Sequence, residues 1–378
     1  MADVLYRGDY GYARAELITH NGRQGALVYY ANPEPRKLHA IDADGMNELS
    51  AAVEAVEAAS GLAFCVFYGA YDPVHAGADI TQFAGDPDYA HIRAHLYRGT
   101  DLDSRVKQLW ARMRTVSIIS GDRYGGSAEW PLFAQWAIAD NRARIQFSEV
   151  TLGIIPGWNG LLNAVLRTHP ANVRYMGQTG NSLDAGQMLN MGIVEQVVTT
   201  PPAPDRRRVA PEAWSAAWAA HAEKCQAQLL QAAFDLATGG APSAAKHAFR
   251  LCSDEELGEE VRRRTDVGRY RSLKARAAQE AARIDPATQP DQYKALAREM
   301  AGELALMGKP LAPKAVAAVS QFVQRWSALS PHDVLQRFSE AGHQEADLCD
   351  ELMRTEHRRI GVNAVLTKNI AERIPIFA

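Results

Sequence analysis

Two glutamates stand in surroundings that could give them chemistry. Glu129 lies in the apolar setting Ala128-Glu129-Trp130-Pro131-Leu132-Phe133, at the start of an expected helix. Glu149 follows twenty residues later, at the end of an expected strand and before the loop Gly153-Ile154-Ile155-Pro156-Gly157. Two carboxylates held together in an apolar pocket repel one another, so one titrates high and serves as an acid while the other remains a base. Adding water across a double bond needs that division. The residues alone leave a second reading open, in which Glu129 supports its helix dipole and Glu149 is a solvated strand-end residue.

Upstream of Glu129, Ser120-Gly121-Asp122-Arg123-Tyr124-Gly125-Gly126-Ser127 runs from an apolar strand into a helix. Adjacent glycines let a ligand approach backbone N–H groups, and a helix N-terminus adds a partial positive potential, as in an oxyanion hole. Glycine-rich strand-to-helix turns are common in α/β proteins, so this turn by itself specifies no reaction.

Such groups need elements to position them. Residues 13–30 read as a hairpin around Asn21-Gly22, and Met46, Leu49, Val53 and Val56 trace an amphipathic helix ended by Gly61. Ala63-Phe64-Cys65-Val66-Phe67-Tyr68 is a continuous apolar run of strand length, as in a sheet covered on both faces. The pattern continues with a helix near 87–114, the strand Val116-Ser117-Ile118-Ile119, a helix through Pro131-Leu132-Phe133-Ala134, the strand Arg144-Ile145-Gln146-Phe147, helices near 160–167 and 182–191, and a strand ending at Val198. Pro201-Pro202-Ala203-Pro204 then marks a boundary, beyond which the chain reads as mostly helical. Trp214, Trp218, Cys225, Leu229 and Phe234 form one helical stripe, Ser253 and Glu256 a capping box, and Glu259/Arg263 and Glu260/Arg264 helical pairs.

Three loops in this order, Ala76-Gly77-Ala78-Asp79-Ile80, Gly125-Gly126-Ser127-Ala128-Glu129 and Ser148-Glu149-Val150-Thr151-Leu152-Gly153-Ile154-Ile155-Pro156-Gly157, resemble the motif series of the crotonase superfamily, the enoyl-CoA hydratase/isomerase family. Leu38-His39-Ala40-Ile41, Ala185–Val194, and the closing stretch Thr355–Val362 with Pro375-Ile376-Phe377 add to the likeness, which covers about 13–198 and 313–378. The resemblance implies an α/β spiral of ββα repeats followed by a mostly helical C-terminal region. Its expected parts are a catalytic core at 1–200, a helical insertion at 201–312 and closing helices at 313–378. It places the oxyanion-hole N–H groups on Ala78 and Gly126 and the water and proton chemistry on Glu129 and Glu149. Substrate contacts are expected from Ala76, Gly77, Asp79, Ile80, Gly125, Asp122, Arg123, Pro156, Gly157 and Trp158. The implied substrate is a 2-enoyl-CoA, or an oxo-substituted cyclic acyl-CoA opened by hydration and hydrolysis. A catalytically silent binding or assembly subunit is the alternative of another class. Coenzyme A enters as part of the substrate; no separate cofactor and no metal are implied, and the assembly expected is a homotrimer or homohexamer.

The sequence departs from that pattern in places. Ser127 replaces a third glycine, Asp122 and Arg123 replace small or apolar residues, and Trp158-Asn159 follows Pro156-Gly157 where small residues are usual. Asp122 and Arg123 either contact a polar acyl group or lie exposed on the loop rim. Arg206-Arg207-Arg208 and the basic run from Arg262 to Arg276 could grip CoA phosphates, but read better as a solvated helix face paired with Asp254, Glu255, Glu256, Glu259 and Glu260. His91 and His95 have helical metal-site spacing without a third ligand, and read as an ordinary helix surface; His75 reads as structural.

Length and composition set the outer bounds. The chain has 378 residues, 47% of them hydrophobic, with 41 Lys+Arg against 44 Asp+Glu, a net charge of −3. That argues against disorder and against partners such as nucleic acid or an anionic membrane surface. Four dispersed cysteines, no apolar stretch of spanning length and no basic-then-apolar leader make a soluble, cytoplasmic protein the expectation.

Overall fold

The computed structural model describes residues 3–240 and 249–377. Its strands are β1 (Val4–Arg7), β2 (Ala13–His20), β3 (Arg23–Tyr30), β4 (Phe64–Gly69), β5 (Val74–His75), β6 (Arg114–Ile119), β7 (Asp122–Tyr124), β8 (Trp136–Asp140), β9 (Arg144–Gln146), β10 (Leu183–Asp184) and β11 (Gln196–Val198). Seven form one sheet in the order β1-β2-β3-β4-β6-β8-β11, parallel from β3 onward. The other four form a small sheet in the order β10-β9-β7-β5. At the β2–β3 turn, Asn21 and Gly22 both have positive φ, as a two-residue hairpin of this hand requires. Of the small sheet only β9 was legible, as the strand read at 144–147, because strands of two or three residues carry little periodicity.

The helices along the first part are α1 (Ala43–Ala58), α2 (Tyr89–Leu109), α3 (Gly126–Glu129), α4 (Gly160–Arg167), α5 (Pro170–Thr179), α6 (Ala185–Met191) and α7 (Trp214–Thr238). Pro131 lies in a 3-10 turn that continues α3, in place of the longer helix expected there. Every residue of β4 is buried, as its unbroken apolar run predicts. Cys65 and Phe67 face the main core, while Phe64, Val66 and Tyr68 face a second layer closed by Leu229, Ala233 and Ala237 of α7. The boundary at the proline run therefore separates strand-rich from helical sequence, but not one packed body from another.

The remaining helices are α8 (Asp254–Thr265), α9 (Val267–Ala281), α10 (Pro290–Met307), α11 (Pro313–Trp326), α12 (Pro331–Gln336), α13 (Phe338–Met353) and α14 (Glu356–Leu366). The capping box forms: Ser253 Oγ accepts from Glu256 N–H, and the Glu256 carboxylate accepts from Ser253 N–H. Arg264 pairs with Glu260 as expected, whereas Arg263 also turns to Glu260, not Glu259. Helices α9 and α10 build a small core of their own with the tail, around Tyr270, Leu273, Ala277, Leu296 and Ile370. The closing helices return to the strand-rich half: α11 packs on α4 and α5, α13 on α2, and α14 on the turn Ser148–Leu152.

Candidate active site

A cavity of about 650 Å³ opens between the two sheets' loops and the closing helices. The loop Ala76-Gly77-Ala78-Asp79-Ile80 forms one wall, Gly125, Gly126 and Glu129 a second, and Glu149, Gly157 and Trp158 a third. The first two walls touch. A Cβ on Gly77 would stand 2.7 Å from both the Gly126 nitrogen and the Tyr124 carbonyl oxygen, so only glycine permits this approach. The Ser127 hydroxyl donates to the Ala76 carbonyl across the same junction. The residue that replaces a glycine of the motif thus ties the two loops together.

Glu129 is 2% exposed, and its Oε2 accepts from the N–H groups of Trp158 at 2.8 Å and Gly160 at 2.9 Å. These donors point inward because Asn159, between them, adopts a left-handed conformation (φ 64°). Asn159 is locked there: its amide donates to Asp103 at 2.9 Å and its side-chain oxygen accepts from Thr100. Asp103 is fully buried, and is paired with Lys107 at 2.6 Å. Burial raises the Glu129 pKa to about 7, although the N–H groups of the Gly157–Gly160 turn favour its charged form and oppose the rise. The start of α4 also receives a third carboxylate, Glu345 of α13, which accepts from Leu161 N–H at 3.0 Å and Leu162 N–H at 2.9 Å.

Glu149 sits in the 3-10 turn beneath α14, with one carboxylate oxygen 3.0 Å from where a Cβ on Gly125 would lie. Its other oxygen is buried without a partner among the described residues. Burial holds its pKa well above the carboxylate range, and repulsion from Glu129 adds to this. A buried acid with a high pKa and one oxygen without a partner among the described residues retains its proton, whereas Glu129, held by two N–H groups, gives up its proton more readily. The two carboxylates thus stand in different hydrogen-bonding surroundings on neighbouring walls of one cavity, the kind of difference that can separate an acid from a base.

Several expected contacts fall elsewhere. Asp122, Arg123 and Pro156 do not line the cavity. Residues 122–124 form β7 where a turn was read, and side chains alternate along a strand: Tyr124 faces the cavity and Arg123 is buried, 1% exposed, on the other side. Neither a rim position nor a substrate contact describes Arg123. His75 is buried and stacked on His39, which itself pairs with Asp72. His91 is exposed, but His95 lies in the cavity wall against Trp158, with ring centroids 5.0 Å apart; burial lowers its pKa to about 4. Its position in the buried stripe Ile92, His95, Leu96, Gly99 was the signal available in the sequence. Cys349, Met353 and Lys309 reach the cavity from the C-terminal half and had no local signature. Among the described residues, no group of three or more His, Cys, Asp or Glu is placed to hold a metal ion, and no helix is long and apolar enough to cross a membrane.

Residues 24–247 match the family model for enoyl-CoA hydratase/isomerase, a match that extends through α7. A probable enoyl-CoA hydratase of Rhizobium meliloti (strain 1021) is 30% identical over 190 residues, 50% of this chain and 69% of the relative. The crystal structure of an enoyl-CoA hydratase from Rhodobacter sphaeroides 2.4.1 superposes with a TM-score of 0.56 at 17% identity, covering 93% of this chain and 89% of that one. A carnitinyl-CoA dehydratase from Mycobacterium thermoresistibile gives 0.56 at 16% identity with the same coverages. At those identities the structures speak for the fold. The chain therefore belongs to the enoyl-CoA hydratase/isomerase family, and is an acyl-CoA enzyme of the crotonase fold.

Proposed function

We propose that the protein adds water to a 2-enoyl-CoA thioester, or removes it, with Glu129 and Glu149 as the acid–base pair. The observation that carries this reading is the unequal hydrogen bonding of two buried carboxylates at one cavity, one held by two N–H groups and the other with an oxygen that has no partner among the described residues. The thioester oxygen is received by the Ala78 and Gly126 N–H groups, whose loops meet at Gly77. Glu129 takes a proton from water as its oxygen bonds to the β-carbon, and the double-bond electrons move onto the thioester oxygen. The enolate then collapses, taking a proton at the α-carbon from Glu149. Pre-aimed N–H donors in a dry site oppose the developing charge, each worth about 10²–10³ in rate. Arg36 and Lys309 bring cationic groups to the cavity that suit the phosphates of CoA.

Hydration of an oxo-substituted cyclic acyl-CoA, followed by ring opening, is the second reading. It is favoured by His95, which lines the cavity with a ring kept neutral by burial and whose buried nitrogens have no hydrogen-bond partner among the described residues, a fit for an oxygen on the acyl group. The test incubates the protein with straight-chain, cyclic and dicarboxylic acyl-CoA thioesters in H₂¹⁸O and identifies products by mass spectrometry. A 3-hydroxyacyl-CoA carrying one ¹⁸O supports hydration, and a dicarboxylic mono-CoA thioester supports ring opening. No turnover across the panel, with full biological function retained by a folded Glu129→Gln, Glu149→Gln variant, supports a binding subunit instead.

A further inference from the structure

Beneath the loops expected to form the oxyanion hole lies a buried cation, Arg123, with no counter-charge in contact among the described residues. Arg123 and His75 are Cα partners in the parallel pairing of β7 with β5. Each stands three residues before an expected oxyanion N–H: His75 before Ala78, Arg123 before Gly126. The Arg123 Nε donates to the Ser120 carbonyl at 3.1 Å, one Nη has no partner, and no carboxylate lies within 4.0 Å among the described residues. The Trp130 ring, 5.8 Å from the guanidinium carbon, is an aromatic neighbour. Tyr68 Oη, His75 Nε2 and Ser120 Oγ are likewise buried and unpartnered around it. Guanidinium keeps its proton under such conditions, and an isolated buried charge is costly. His75 is kept neutral by burial and by Arg123 itself, which leaves the guanidinium as the charge of the cluster.

We propose that Arg123 is a positioning residue for the proposed reaction, whose buried positive charge strengthens the oxyanion hole from behind. The inference rests on the thioester-enolate reading above. Three residues of extended chain span at most roughly 10 Å, which bounds the backbone separation of Arg123 from the Gly126 N–H; the guanidinium lies on the face of β7 away from the cavity and acts on the enolate through dry, fixed protein rather than water. The negative charge formed at the thioester oxygen in the transition state then interacts with a cation that the ground state leaves uncompensated. Interactions stronger in the transition state than in the ground state raise kcat rather than lower KM.

The test compares wild type with Arg123→Met, Arg123→Gln and Arg123→Lys. Turnover is measured with but-2-enoyl-CoA, and isotope-edited infrared spectra are recorded with bound butyryl-CoA carrying a ¹³C thioester carbonyl, which has no double bond to hydrate. In the wild type the carbonyl band should move to lower frequency on binding. Arg123→Met and Arg123→Gln should lose part of that shift and about tenfold in kcat with little change in KM, while Arg123→Lys keeps most of both. Arg123→Met should also melt no lower than wild type, because an uncompensated buried charge has been replaced by an apolar chain. A merely structural arginine gives the opposite pattern: reduced melting temperature with unchanged carbonyl frequency and kcat. If a neutral variant keeps both the band shift and the rate, the proposal is overturned alone. If the wild type shows no band shift, the enolate reading falls and the proposal with it.

Discussion

The cavity wall and the α8–α10 helices spend their charges in opposite ways. At and behind the cavity, Glu129, Glu149, Glu345, Asp103 and Arg123 are buried, and the Lys107 side chain is 7% exposed. In α8–α10, Arg263 meets Glu260, Arg276 meets Glu303 and Lys274 meets Glu372, all at the solvent. Surface pairs gain little because water already solvates both partners. Buried ones are costly unless hydrogen-bonded or used, so each marks either a structural tie or a chemical role. The density of arginine between 262 and 276 drew attention in the sequence, but most of that run lies at the solvent, whereas the solitary Arg123 is buried with no carboxylate within 4.0 Å among the described residues. Arg264 bridges the two regions: it is 3% exposed and donates to the Lys309 carbonyl at 2.7 Å and to Asn181 at 2.9 Å, which sets Lys309 at the cavity.

The contrast breaks most readily at the two glutamates. Glu129→Gln and Glu149→Gln should each lower kcat by about 10²–10⁴-fold without loss of melting temperature, in steady-state assays paired with thermal denaturation. Gly126→Ala comes next. Its Cβ would stand 2.0 Å from the Trp158 ring, and the enforced displacement of loop or indole should cost about 10²-fold in kcat. The pH profile sharpens the acid–base assignment. Glu129 must lose its proton to act on water, so kcat/KM should rise as pH passes through about 7, and fall at higher pH as Glu149 loses the proton it must donate. A pH-independent rate between 5 and 9 would remove the basis for the pair. On the other side of the comparison, Leu273→Ala should reduce stability by about 2–5 kcal/mol in denaturant titrations while kcat stays unchanged, because its small core shares no residue with the cavity lining. The smallest effect belongs to Arg276→Gln, which should move the melting temperature by less than about 2 °C and leave activity alone.

Much of the scaffold was legible in local sequence. The Asn21-Gly22 hairpin, the fully covered β4 and the helical C-terminal half follow from turn chemistry and apolar spacing. The two glutamates were legible as residues, since an acid amid apolar neighbours is costly without a purpose. Less accessible were the groups around them. His95 was concealed by its pairing with an exposed His91, and Glu345 by the sequence separation between α13 and the start of α4. Arg123 was misplaced because a three-residue strand leaves no alternation to read, and that alternation decides which face a side chain takes.

The sequence by itself determined the family, the order of strands and helices, and the loops that carry glycine and glutamate, because those features depend on residue type and short-range spacing. Tertiary structure decided which charges lost contact with water. That outcome depends on what packs over them: α7 over the large sheet, α14 over the Glu149 turn, and the N-terminus of α4 against Glu129 and Glu345. A carboxylate's pKa follows from its burial and its donors, and these come from residues distant in the chain.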